Sequence, residues 1–189
     1  MKYEFRTGAP AKIEADGDTV KVTGYAAVFN QQADIAGLFR EQIAPGAFAK
    51  AVKRDDVVFL VNHEGLPLAR TRSGTLKLSE DEHGLKIETE LDLTDPDVNS
   101  IVPKMKRGDL DKMSFGFIPV KQEWDDSGDI PLRTIVEASL FDVSIVTNPA
   151  YEGTEIGLRC LQDFRNEQHS SAHVAARMRM KLALKNATA

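Results

Sequence analysis

The sequence predicts a mainly β, α+β fold, in which an antiparallel β-barrel is surrounded by a few helices. Segments with a strand-like pattern outnumber helical ones along the 189-residue chain. The two kinds of segment do not alternate as βαβ units, which argues against a doubly wound parallel sheet. A hydrophobic content of 42% is enough for one domain of ordinary size with its own core. Together these observations favour an antiparallel sheet or barrel with helices outside it.

The predicted strands alternate polar with apolar residues or are rich in β-branched and aromatic residues. They cover residues 2–6, 11–15, 19–29, 38–43, 56–62, 75–79, 84–91, 110–122 and 132–147. The run at 56–62 is nearly all apolar, as in a buried strand. Residues 75–79 and 84–91 flank an acidic turn, which predicts a hairpin. An acidic turn is also predicted at residues 123–131.

Three segments carry helix signals. Pro45 opens the short segment PGAFAKAVK, and proline suits the first turn of a helix. A second helix is predicted from Asp95 to Lys106, with Asp95 or Thr94 as its cap and a glycine just beyond its end. The segment from Glu167 onward is rich in alanine, methionine and arginine, and it predicts a third helix.

The charge is divided unequally between a body and a tail. Residues 165–189 have a balance of +4, whereas the rest of the chain has a balance of −9. An acidic body argues against nucleic-acid binding, which needs a basic face. A polar stretch near residues 160–172 predicts a linker, so we expect a domain at 1–159 and a linker with a basic helical tail at 160–189. The tail could bind an acidic partner or nucleic acid, or it could remain a solvated helix.

Several other classes of protein are excluded by composition. No uncharged apolar run approaches the roughly 18 residues of a membrane span, and charges throughout residues 1–20 argue against a secretory signal. The single cysteine, Cys160, excludes an internal disulfide and a cysteine-rich zinc site, and we expect it to be inert. The chain has no phosphate-binding loop and no dinucleotide-binding glycine motif, so no nucleotide cofactor is predicted. Four histidines leave little material for a histidine-based metal site, so no metal site is predicted either.

His63 is the first candidate for chemistry. It follows the apolar run VVFLV and precedes Glu64 and Gly65, so its side chain can project from a strand end into a cleft. The other three histidines lie in an acidic turn or in the tail. A histidine that merely ends a strand fits the local pattern equally well.

Ser114 is the second candidate. Strand alternation in KMSFGF puts Ser114 and Gly116 on one face, and the methionine and phenylalanines on the other. The apolar face would pack into the core, while the opposite face presents a hydroxyl beside bare backbone. Serine is a weak nucleophile until a base such as histidine takes its proton. An ordinary serine on the polar side of a strand is the competing interpretation.

Two acids could orient such a histidine. Asp142 interrupts a run that otherwise looks buried, and an unpaired buried carboxylate is costly, so we expect it to have a partner. A histidine N–H would suit, because the carboxylate would then hold the ring and stabilise its charged form. Glu137 makes the same case more weakly. A bridge from Asp142 to a lysine or arginine, or hydration at a strand end, is the alternative.

Six motifs occur in one order between residues 18 and 158. They are GYAAVF at 24–29, IAPGAF at 43–48, NHE at 62–64, LART at 68–71 with GTL at 74–76, MSFGF at 113–117 and DVSIVTNPAY at 142–151. This ordered set resembles the HK97-type prohead maturation proteases of tailed bacteriophages, which are similar in fold to the herpesvirus assembly proteases.

The resemblance implies a serine endopeptidase without a cofactor. It would act inside the immature capsid, in the cytoplasm of the host or of a prophage-bearing bacterium. Its substrates would be the major capsid protein, with its scaffold or delta segment, and self-cleavage is a further expectation. The family's motifs put the catalytic histidine at His63 and the serine at Ser114. The third position, a histidine in the herpesvirus relatives, falls on Asp142, with Glu137 as a rival.

Two other functions stay open at this point. One is a catalytically inactive β-barrel component of the capsid or scaffold, and the other is an unrelated β-barrel binding module. The herpesvirus relatives dimerise, so a homo-oligomer is expected only by analogy. The distance between the Ser114 hydroxyl and the His63 ring separates the protease from the binding module. Labelling of Ser114 by a serine-reactive phosphonate separates it from the inactive component.

Overall fold

The computed structural model describes residues 3–147, 158–166, 168 and 179, and all structural statements below concern these residues. Strands dominate and helices are few, which confirms the mainly β class. The strands are β1 Glu4–Pro10, β2 Lys12–Asp16, β3 Thr19–Val28, β4 Ala33–Ile35, β5 Phe39–Ile43, β6 Val58–Val61, β7 Glu64–Arg70, β8 Leu76–Glu80, β9 Gly84–Asp92, β10 Lys112–Asp125 and β11 Leu132–Val146. The helices are α1 Ala51–Arg54, α2 Pro96–Lys106 and α3 at residues 158–166.

The strands form two sheets. A seven-stranded sheet has the order β1-β10-β11-β5-β4, with β6 paired to β11 and β7 paired to β6. A four-stranded antiparallel sheet has the order β2-β3-β9-β8. The long strand β11 organises the larger sheet, because β10 runs antiparallel along it while β5 and β6 pair in parallel with its first and second halves. The antiparallel prediction therefore holds for most pairings but is wrong for these two.

The predicted closed barrel is not formed by the described strands. β1 pairs with β10 along one edge only, so it ends the larger sheet. Side chains rather than backbone hydrogen bonds connect it to β5: Arg6 on β1 binds Glu41 on β5 with an Nε–Oε1 distance of 2.6 Å. A barrel needs a continuous ladder of backbone hydrogen bonds, and here ion pairs bridge the gap instead.

One contiguous hydrophobic core is built from both sheets and from the helices α1 and α2. Phe115 and Phe117 on β10 are buried in it, as strand alternation predicts. The helix α2 was also predicted correctly: the Asp95 side chain caps it by accepting the Asp97 N–H at 2.9 Å, and Val98 and Met105 on its buried face join the core.

Some elements differ from the predictions. The segment that begins at Pro45 forms turns before the single helical turn of α1, and the strand β7 was not predicted. The acidic turn starts later than expected, because β10 continues to Asp125. No helix among the described residues is long and apolar enough to span a membrane.

Residues 158–166 form helix α3 where the polar composition predicted a linker. The helix packs against the larger sheet: Leu161 is buried with Ile35 and Phe39, and the Phe164 ring stacks on Trp124 with centroids 4.7 Å apart. The helix predicted from Glu167 onward lies almost entirely outside the described residues. The division into a domain and a tail stays a prediction.

Candidate active site

His63 lies in the two-residue turn that joins β6 to β7. Asn62 and His63 have φ angles of 52° and 62°, and a type I′ turn requires positive φ at both central positions. This conformation costs non-glycine residues about 1–3 kcal/mol each. Hydrogen bonds to β11 and to the residue after it hold this turn. The Asn62 N–H donates to the Ile145 carbonyl at 3.0 Å, and the Asn62 side chain accepts the Thr147 N–H at 3.1 Å.

The register of β10 against β11 places the other candidate residues on one face. Ser114 lies opposite Ser144, and Gly116 lies opposite Asp142. This face is turned away from the core that receives Phe115. Gly116 makes room for the carboxylate, because a Cβ atom there would lie 2.3 Å from Asp142 Oδ2.

The structure brings His63, Ser114 and Asp142 into one hydrogen-bonded chain. The Ser114 Oγ atom lies 2.7 Å from His63 Nε2, and His63 Nδ1 lies 2.5 Å from Asp142 Oδ1. The carboxylate accepts the Nδ1–H, so Nε2 carries the lone pair that can take the serine proton.

Glu137, the rival acid, lies elsewhere. Its carboxylate binds the Lys50 ammonium at 2.7 Å, and its side chain is 23% exposed. No described contact joins it to His63. Of the two acids, only Asp142 is in a position to orient the ring.

Ser144 is a site residue that the sequence reasoning missed. Its hydroxyl donates to Asp142 Oδ1 at 2.9 Å and accepts the backbone N–H of His63 at 3.2 Å. It therefore fixes both the carboxylate and the strained turn. The available signal was its position two residues after Asp142, which puts it on the same face of the strand.

The strand β1 covers this chain of side chains. Ser114 is fully buried, and its hydroxyl also donates to the Arg6 carbonyl at 2.8 Å. The Phe5 ring packs on the His63 ring with centroids 4.2 Å apart. These contacts bury the site, and burial strengthens its electrostatic interactions.

A second polar cluster lies on the core side of the same sheet. Four charged groups meet there: Glu4 and Arg6 from β1, Glu41 from β5 and Arg133 from β11. Arg133 Nη1 lies 2.8 Å from Glu4 Oε2 and 2.7 Å from Glu41 Oε2. Burial alone would raise the pKa of Glu4, but hydrogen bonds and charge from Arg133 and Arg6 outweigh it and hold this pKa below 4.5. We call these four residues the ion cluster.

Cys160 on α3 lies at the margin of the ion cluster, with its Sγ 3.9 Å from Glu4 Oε1. Burial raises the pKa of this thiol, and the Glu4 and Glu41 charges raise it further, against the opposing effect of Arg133. A thiol held in its protonated form is a poor nucleophile. This chemistry agrees with the expectation that Cys160 is inert.

The chain is similar to a known protein family. The family model described as caudovirus prohead serine protease matches residues 9–170, a span that includes His63, Ser114 and Asp142. The match confirms the resemblance that the six motifs predict. No curated protein matches the chain. No solved structure matches it either, so the similarity in fold to the herpesvirus proteases stays a prediction.

Proposed function

Because the chain belongs to the caudovirus prohead serine protease family, we propose that it is a serine endopeptidase that cleaves capsid proteins while the prohead matures. In this proposal Ser114 is the nucleophile, His63 is the general base and acid, and Asp142 orients the imidazole. The observation that carries the proposal is the hydrogen-bonded chain from Ser114 Oγ through His63 to Asp142, with distances of 2.7 and 2.5 Å.

Acylation follows from this geometry. His63 Nε2 takes the Ser114 proton as Oγ attacks the scissile carbonyl carbon, and the carbonyl oxygen becomes an oxyanion. Asp142 accepts the Nδ1–H throughout and stabilises the imidazolium. His63 then gives the proton to the departing amine, the C–N bond breaks, and an acyl-enzyme ester remains on Ser114.

Deacylation repeats these roles with water. His63 takes a proton from a water molecule, whose oxygen attacks the ester carbon, and the proton returns to Ser114 Oγ as the acid product leaves. Backbone N–H groups near Ser114 would stabilise both oxyanions, and a single such donor is worth about 100- to 1,000-fold in rate.

The proposed substrates are the major capsid protein and its scaffold or delta segment, inside the immature capsid in the host cytoplasm. Self-cleavage and assembly into a homo-oligomer belong to the same proposal. A catalytically inactive capsid component would not need a serine, a histidine and a carboxylate joined by consecutive hydrogen bonds. The geometry therefore favours the enzyme.

Co-expression with the capsid precursor tests the proposal. The Ser114→Ala protein should leave the precursor intact, because loss of the nucleophile typically lowers kcat by about 10⁶-fold. Ser79→Ala, on the exposed face of β8, is the matched control and should cleave like the parent. Cleavage by Ser114→Ala at the parent's rate would contradict the proposal.

A further inference from the structure

The nucleophile has no path to a substrate in this conformation. Ser114 has no exposed surface, and in the described residues its hydroxyl has two hydrogen-bond partners, His63 Nε2 and the Arg6 carbonyl. Phe5 covers the His63 ring from the same strand. Both contacts that close the site come from β1.

The β1 backbone also competes with the base. A serine hydroxyl has one hydrogen, and the Arg6 carbonyl oxygen, at 2.8 Å, is almost as near as His63 Nε2, at 2.7 Å. While that hydrogen is donated to Arg6, it is not donated to His63, and the nucleophile is not activated. Opening the site and activating the serine therefore require the same movement.

We propose that the edge of β10 beside Ser114 is the strand-binding site for an extended polypeptide substrate, and that Glu4–Thr7 of β1 occupies this site as a displaceable internal strand. The inference rests on the proposed protease function. A substrate segment would replace the backbone hydrogen bonds of Glu4–Thr7 with its own, as in other cases of strand addition to a sheet edge.

The register of β1 against β10 shifts where such a movement needs a hinge. Glu4–Thr7 pairs in register with Ser114–Phe117, and the register then shifts between Thr7 and Pro10. Gly8 in the shifted part lies so close to β3 that a Cβ atom there would be 2.2 Å from the Ala26 carbonyl oxygen. The C-terminal part of β1 is therefore fixed, and the N-terminal part forms a free sheet edge.

Two side-chain observations are consistent with displacement of Glu4–Thr7 from the edge of β10. Thr7 lies opposite Ser114, and its buried hydroxyl has no hydrogen-bond partner among the described residues, so the strand is imperfectly satisfied in place. Glu4 and Arg6 carry opposite charges, and their departure leaves Arg133 paired with Glu41 at 2.7 Å. Departure therefore leaves no uncompensated buried charge, which is the arrangement that would cost most.

A reversible lock tests the proposal. Extending the register of Glu4 and Phe117 by one residue sets Tyr3 against Ile118, so Tyr3→Cys with Ile118→Cys would tie the N-terminal end of β1 to β10. We expect the oxidised protein to cleave the capsid precursor at least about tenfold more slowly than the same protein after reduction, because the competent fraction falls. The matched control is Ser79→Cys with Lys86→Cys, a directly opposed pair on β8 and β9 away from the site, where oxidation should change nothing.

Equal cleavage by the oxidised and reduced forms of the Tyr3→Cys, Ile118→Cys protein would overturn the proposal. Failure of the reduced form and of the parent to cleave would instead count against the protease function itself.

Amide hydrogen exchange on the unaltered chain gives a second test, which does not depend on disulfide formation. Reaction of Ser114 with a peptidyl phosphonate should remove the protection of the amides in Glu4–Thr7 and leave that of β9 unchanged. Unchanged protection in Glu4–Thr7 after complete reaction would show that this strand is not displaced, which would overturn the proposal.

Discussion

Two buried polar clusters lie on opposite faces of the seven-stranded sheet, and they are built differently. On one face, Ser114, His63 and Asp142 form a linear chain of neutral and charged groups. On the other face, the ion cluster binds two carboxylates to two guanidinium groups. β1 contributes to both, because Phe5 points to the first and its neighbours Glu4 and Arg6 point to the second.

The difference lies in what each cluster leaves available. In the ion cluster both Arg133 and Glu4 are tied to two or more partners, so the charges balance and nothing remains to react. In the hydrogen-bonded group of Ser114, His63 and Asp142, the serine hydroxyl proton has two possible acceptors, His63 Nε2 and the Arg6 carbonyl. It can therefore be transferred. Burial makes both clusters costly to disturb, but disturbing the first should change the rate and disturbing the second should change stability.

Of the predictions that contrast the two clusters, the one for Asp142→Asn should have the largest effect. We expect Asp142→Asn to lower kcat by about 1,000- to 10,000-fold while the fold persists, because an amide favours the wrong imidazole tautomer. Glu137→Gln is the control, since Glu137 binds only Lys50 among described residues, and its kcat should stay within a factor of two or so. Steady-state cleavage assays would measure both, and a larger loss in Glu137→Gln would reverse the assignment.

Removing one member of the ion cluster should affect stability instead. Arg133→Met leaves Glu4 and Glu41 with a single arginine, and breaking a buried network costs about 3–5 kcal/mol of unfolding free energy. Arg70→Met removes a pair of similar length, 2.6 Å to Asp56, that is exposed, and denaturant unfolding should barely detect it. Similar losses in the two variants would contradict the comparison. The folded fraction of Arg133→Met should retain cleavage activity.

Gly116→Ala should damage the site more than the fold. The new methyl group would meet Asp142 Oδ2 at 2.3 Å, so the carboxylate must move from His63, and we expect a fall in kcat of about 100-fold. Gly128→Ala places the same methyl group in a turn with its nearest contact at 3.9 Å. Parental activity in Gly116→Ala would show that the position of Asp142 is not critical.

The smallest effect should appear as a pH dependence of stability. The pKa of Glu4 is lower in the folded protein than its usual 4.5, so its contribution is complete above that value and is lost as pH falls through the folded pKa. Between pH 6 and pH 3, the free energy of unfolding should fall less steeply with falling pH in Glu4→Gln than in the parent. An identical slope in both proteins would show that Glu4 does not contribute to the pH dependence of stability.

The sequence singled out His63, Ser114 and Asp142, which the structure brings together, but it did not single out Ser144. Asp142 stands out because a carboxylate in an otherwise buried run needs a partner, and Ser114 because Gly116 on the same strand face leaves bare backbone beside its hydroxyl. Ser144 shares the strand face of Asp142, but its role depends on the backbone N–H of His63, 81 residues away, which no local pattern encodes.

The ion cluster and the open sheet could not be predicted, because they depend on long-range pairing. Glu4 and Arg133 lie 129 residues apart, and each looks like an ordinary surface charge in its own strand. The parallel pairing of β11 with β5 and β6 is likewise a matter of topology, which alternation does not encode. Helix α3 was missed because its apolar contacts with the sheet, such as Phe164 on Trp124, override a polar composition.

Active-site labelling tests the central claim most directly. A serine-reactive phosphonate, followed by peptide mass spectrometry, should modify Ser114 alone and stoichiometrically in the parent, and at a greatly reduced rate in His63→Ala. Modification of another serine, or equal labelling of Ser114 in both proteins, would contradict the account that His63 activates Ser114.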